Sequence, residues 1–119
     1  MPQNEATVSY KSKKFAIRIV RLYDLLRHEQ RQYILADQVL RSGTSIGANI
    51  AEASAAISRK EFLAKQYIAF KECVETLYWL ELLYKTDHIS EAMYRSLAAD
   101  CTELKKMLSA ITKTLKENS

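Results

Sequence analysis

Leu40-Arg41-Ser42-Gly43-Thr44-Ser45-Ile46-Gly47-Ala48-Asn49-Ile50-Ala51-Glu52-Ala53 contains both glycines of the 119-residue chain. The pattern around them is helical. Leu35, Val39, Ser42, Ile46, Ile50, Ala53 and Ile57 recur at three- and four-residue steps, which places them on one helix face. A glycine inside a helix costs about 1 kcal/mol relative to alanine, so something must offset two of them. Close packing does so: Gly43, Gly47 and Ala51 form a second face without bulk, which another backbone can approach. Arg41, Ser45, Asn49 and Glu52 form a third, polar line on the same helix. One helix thus has a core face, a thin face and a polar seam, and its thin face requires a helical neighbour.

Working outward, the chain has two glycines and one proline. Turn-rich β folds need many more, so the scarcity predicts long helices with few connections. Residues 1–9 are polar, include the proline, and read as a disordered tail; residues 10–119 read as one domain. The first helix is expected over Lys11–His28, with Phe15, Ile19, Leu22 and Leu26 as its core stripe and Ile17, Val20 and Tyr23 broadening it. The second is expected over Tyr33–Ala56. Ser58-Arg59-Lys60-Glu61 is a capping box, flanked by Ile57 and Phe62 at the positions of a hydrophobic staple, and starts a helix over Arg59–Tyr84. Ser90 caps a fourth over Glu91–Lys116, with Ile89 and Tyr94 as a second staple. Short links make successive helices antiparallel. The fold class is all-α: an up-down-up-down antiparallel four-helix bundle.

The third helix is apolar on more than one side. Phe62, Phe70, Cys73, Val74, Leu77, Leu80 and Tyr84 suffice to fill a bundle. Ile68, Trp79 and Leu82 lie on the opposite arc, among Lys65, Lys71, Glu72 and Glu75. A helix apolar on two sides is buried on two sides, so this arc is expected to meet another subunit. Arg41, Asn49, Glu52, Glu72 and Glu75 would make polar contacts within or beside that interface.

Charge is concentrated at one end. Residues 1–31 carry seven basic and three acidic side chains, which is the whole net charge of +4. Lys11, Lys14, Arg18 and Arg21 form one basic stripe, able to track a nucleic-acid backbone without reading its sequence. Such a site should accept duplex or structured RNA, or DNA. The bland alternative is a solvated face. No long apolar run predicts a membrane span, and residues 1–8 do not resemble a signal peptide, so a cytoplasmic location is expected. Cys73 and Cys101 fall on apolar faces and read as reduced core thiols.

Chemistry is poorly supported. Gly43-Thr44-Ser45-Ile46-Gly47 matches the spelling of a serine-hydrolase elbow, but that elbow needs a strand-to-helix turn, and here the helical period runs through it. Arg21 and His28 match a loose pattern of small helical ribonucleases, in which histidine is the base and arginine holds phosphate. A histidine near a helix C-terminus has the simpler role of complementing the dipole. No His/Cys/carboxylate cluster has ligand spacing. No catalytic residue, metal or cofactor is expected.

Arg41 to Ala53, together with Ala69-Phe70-Lys71-Glu72-Cys73-Val74-Glu75-Thr76-Leu77-Tyr78-Trp79-Leu80-Glu81, resembles the bacterial four-helix-bundle family of proteins encoded by intervening sequences within large-subunit ribosomal RNA genes. The resemblance runs from about Lys11 to Leu115. It implies a left-handed antiparallel bundle that assembles into a homopentameric ring. A related branch, the accessory proteins of diversity-generating retroelements, forms similar pentamers that bind nucleic acid and a reverse transcriptase. The expected function is therefore a non-enzymatic homo-oligomer binding nucleic acid through the first helix. The alternative is a scaffold for a protein partner, and a small ribonuclease comes third.

Overall fold

Thr7 opens the first helix: its Oγ1 accepts a hydrogen bond from the Tyr10 amide at 3.1 Å. The structure, a computed structural model, describes residues 7–117. Helix α1 spans Val8–Asp24 and continues into one π-helical turn, Leu25–Glu29. The cap at Thr7 makes Val8 and Ser9 helical, so the first helix starts before Lys11; residues 1–6 of the expected tail lie outside the described residues. The π turn is closed by the Gln30 amide on the Leu25 carbonyl at 3.3 Å, and Arg31, at φ 54°, turns the chain away. Helices α2 (Tyr33–Ala53), α3 (Arg59–Lys85) and α4 (Glu91–Glu117) follow, and the described residues contain no strand.

Helix α2 ends at Ala53, not Ala56. The amides of Ser54, Ala55 and Ala56 bond three residues back, to the carbonyls of Ala51, Glu52 and Ala53 at 3.2, 3.0 and 3.1 Å. That tightening releases the chain into the extended Ser58 (φ −146°, ψ 159°), whose Oγ accepts from the Glu61 amide at 3.0 Å. The Glu61 carboxylate reaches the Ile57 amide at 3.4 Å. The expected Ile57–Phe62 staple is absent, because Ile57 points into solvent with 93% of its surface exposed. The second staple forms: Ser90 Oγ accepts from the Met93 amide at 3.1 Å, Ile89 is buried, and Tyr94 stacks on Tyr84 with ring centroids 4.8 Å apart. Helix α3 closes in a Schellman motif. The amides of His88 and Asp87 reach the carbonyls of Leu83 (2.9 Å) and Tyr84 (3.1 Å), and Asp87 takes the left-handed position at φ 62°.

Each helix packs on its neighbours in sequence, and α1 closes the square against α4 through the thinnest of the four contacts. Diagonal pairs, α1 with α3 and α2 with α4, have no Cα atoms within 8 Å of each other. The core runs through Phe15, Ile19, Leu22 and Leu26 of α1, Val39 and Ile46 of α2, Cys73, Leu80 and Leu83 of α3, and Leu97, Cys101, Leu104 and Leu108 of α4. Both cysteines are free and fully buried. The Cys101 thiol donates to the Cys73 carbonyl at 3.4 Å; its hydrogen bonding with Cys73, and after that its burial, push it far above the usual thiol range. Both glycines are helical, as their packing requires. A Cβ on Gly43 would stand 2.8 Å from Cγ1 and Cγ2 of Ile19, and one on Gly47 would stand 3.3 Å from Ser12 Oγ. On the other side of α2, Thr76 Oγ1 lies 2.9 Å from Ser42 Oγ and donates to the Glu72 carbonyl at 2.7 Å, which satisfies a buried hydroxyl pair inside the α2–α3 seam. No described helix is long and apolar enough to cross a membrane.

Candidate functional site

The polar seam of α2 is a contact within the chain. Arg41 pairs with Glu72 at 3.3 Å and with Glu75, and Glu75 also accepts from Trp79 Nε1 at 2.9 Å. Glu52 pairs with Lys65 at 3.3 Å. Asn49 donates to the carbonyl and the hydroxyl of Ser45 at 2.8 and 3.0 Å, one turn back on its own helix. The seam thus stitches α2 to α3.

The expected outer arc of α3 shifts accordingly. Ile68, Trp79 and Leu82 are half-buried, and Trp79 packs on the core. Val74, placed inside by the sequence reading, is 48% exposed. The reason is width: α3 is buried against α2 on one flank and α4 on the other, so the residues flanking the core stripe are covered and only a narrow line faces out. That line is Tyr67, Lys71, Val74 and Tyr78, at steps of four, three and four; Tyr67 and Tyr78 are 50% and 59% exposed, and the Lys71 ammonium lies 5.7 Å from the Tyr67 ring centre. Helix α1 has a matching outward line of Lys13, Ile17, Val20 and Asp24. Ile17 and Val20 were expected to broaden the core stripe, yet they are 50% and 45% exposed, because α1 packs closely only against α2 and α4. Exposed apolar side chains therefore lie along two diagonal helices, and also at Tyr33 and Ile34 at the start of α2 and at Ile57 in the α2–α3 link.

The basic stripe is not a free line of four cations. Lys11 pairs with Glu103 at 2.8 Å; Arg18 pairs with Asp100 at 2.7 Å and donates to the Ser96 hydroxyl at 2.9 Å. Lys14 and Arg21 are exposed and make no hydrogen bond or ion pair among the described residues. The stripe borders the α1–α4 seam, and two recesses open beneath it. Residues Tyr10, Lys11, Lys14, Phe15, Asp100, Glu103 and Leu104 line one of about 260 Å³. Arg18, Arg21, Leu22, Leu25, Met93 and Leu97 line the other, about 210 Å³. Sequence reasoning found the cations but not the recesses, whose α4 walls lie about eighty residues away in the chain.

The other candidates fall at separate places. Ser45 sits mid-helix and accepts from Asn49, with no strand before it. Arg21 and His28 border one open recess at the π turn, together with the carboxylates of Asp24 and Glu29. His88 is a structural link: its Nδ1 meets Thr86 Oγ1 at 2.8 Å, its Nε2 meets Gln32 Nε2 at 3.3 Å, and its carbonyl accepts from Gln30 Nε2 at 2.7 Å. Among the described residues, no group of three His, Cys, Asp or Glu side chains could hold a metal ion.

A family model described as 23S rRNA-intervening sequence protein matches residues 4–110. No curated protein matches. Among solved structures, the chain is similar to a crystal structure of a protein with unknown function from the S23 ribosomal protein family of Bacteroides thetaiotaomicron VPI-5482. The two are 51% identical, the match covers 90% of this chain and 99% of that one, and the TM-score is 0.89.

Proposed function

This chain belongs to the 23S rRNA-intervening sequence protein family, and from that premise we propose that it is a non-enzymatic bundle whose task is assembly: a homo-oligomeric scaffold, closed as a ring of five. One observation carries the reading. The apolar lines Ile17/Val20 and Tyr67/Val74/Tyr78 lie on the diagonal helices α1 and α3. An isologous dimer uses the same patch twice, whereas two different patches on opposite corners suit head-to-tail contact, which closes into a ring or runs on as a filament. The number five comes from the family resemblance. Backbone binding of nucleic acid by Lys11, Lys14, Arg18 and Arg21 is the weaker reading, since two of the four are already paired with carboxylates that repel phosphate.

Light scattering with two variants tests the scheme. Val20→Glu damages one face and Tyr78→Glu the other, so each alone should be monomeric. Mixed, they retain one intact pair of faces and should form a heterodimer. A monomeric wild type at micromolar concentration, or a mixture that stays monomeric, rejects head-to-tail assembly.

A further inference from the structure

We propose that the α1–α4 seam is a docking groove for an acidic amphipathic helix of a partner protein. The proposal deepens the scaffold reading, and rests on it for there being a partner, but it uses none of the residues assigned to self-assembly.

Three observations carry it. The first is packing: α1 meets α4 through the thinnest contact in the bundle, and both recesses open along that line. The second is the chemistry of the lower recess. Leu22, Leu25, Met93 and Leu97 form its floor, and the guanidinium-bearing Arg18 and Arg21 form its rim. A space of about 210 Å³ over such a floor suits one large apolar side chain, with two guanidinium groups at its edge for an anion. The upper recess is polar, lined by Tyr10, Lys11, Lys14, Asp100 and Glu103, with Phe15 and Leu104 buried beneath it. The third is charge. Lys14 and Arg21 stand on the α1 rim with no partner among the described residues. The α4 rim holds Asp100 and Glu103, already neutralised by Arg18 and Lys11. The occupant therefore has one apolar anchor for the lower floor and carboxylates on its α1 side for Lys14 and Arg21.

Spacing narrows the occupant. Lys14 and Arg21 are seven residues apart, about 10 Å along the helix at 1.5 Å per residue. Carboxylates seven positions apart on a partner helix span the same distance. This is the helix-in-groove mode, with an apolar anchor setting register and charges setting orientation. A nucleic-acid strand would use the cations and leave the lower floor empty.

The experiment is a titration of the full chain with a short alanine-based helical peptide. It carries one phenylalanine and, along one flank, two glutamates seven positions apart. Fluorescence anisotropy gives affinity, and the Met93 methyl resonance reports occupancy of the lower recess. Saturable binding with a shift at Met93 is expected. Lys14→Glu with Arg21→Glu should weaken it about tenfold or more, as should Met93→Trp, which fills the recess; the first pair, on the surface, guards against misfolding of the second. No shift at Met93, or equal binding of a peptide with lysines in place of the glutamates, overturns the proposal. So does tighter binding of a single-stranded RNA oligonucleotide that Met93→Trp leaves unchanged, which would make the stripe a polyanion site. Light scattering on the same samples separates the two readings: a monomer that still binds the peptide removes the ring and keeps the groove.

Discussion

Gly43 faces the side chain of Ile19, which is fully buried and has no free space to move into. Gly47 faces Ser12, whose hydroxyl is the nearest atom and donates to the Ser9 carbonyl at 3.0 Å. Alanine at either position gains about 1 kcal/mol of helix propensity. At Gly43 the new methyl must displace a branched core side chain, an overpacking cost of about 1–3 kcal/mol. Thermal or urea denaturation should therefore show Gly43→Ala destabilised by about 1 kcal/mol and Gly47→Ala unchanged or slightly stabilised. Equal effects would mean that the two helices do not converge as described. Arg31 makes the opposite point. It holds φ 54°, and a non-glycine residue in that region costs about 1–2 kcal/mol. Arg31→Gly should stabilise the fold by about 0.5–1 kcal/mol after the added freedom of the unfolded chain is counted.

Three of the four helix starts are set by single hydroxyls; α2 starts on Gln32, whose Oε1 accepts from the Leu35 amide at 3.3 Å. Ser58 and Ser90 each take an amide three residues on, and Thr7 does the same for α1. Ser58→Ala should lower stability by about 1 kcal/mol. Ile57→Ala, one residue earlier, should change it by less than about 0.5 kcal/mol, because the side chain lies in solvent and no staple forms. A large loss at Ile57 in dilute, monomeric protein would restore the staple. The contrast shows how an element can satisfy a sequence motif in its polar half only. The capping bonds need nothing beyond the local backbone, whereas the staple depends on the direction in which the chain arrives from α2. The tight turn at Ser54–Ala56 sends Ile57 outward.

At the scale of the molecule, assembly links stability to concentration: a partner that binds only the folded chain raises the melting midpoint as its concentration rises. The wild-type midpoint should increase with protein concentration and that of Tyr78→Glu should not, as differential scanning fluorimetry over a hundredfold dilution would show; a flat wild-type line counts against the ring. The sequence by itself determined the number of helices, their order, two of the four N-terminal caps, the core stripe Phe15/Ile19/Leu22/Leu26, and the close approach at the glycines. All of these follow from local hydrogen bonding and from the helical period, which any stretch of chain carries within itself. Only the tertiary structure decided what the flanks of each stripe face. Ile17, Val20 and Val74 look like core by period but are exposed, and Trp79 looks outward but is half-buried, because the width of a buried face depends on how many neighbours a helix has and at what angles. The same holds for Lys11 and Arg18. Their charges are legible at positions 11 and 18, but the carboxylates that pair with them come from Glu103 and Asp100, and only closure of the bundle brings α4 against α1.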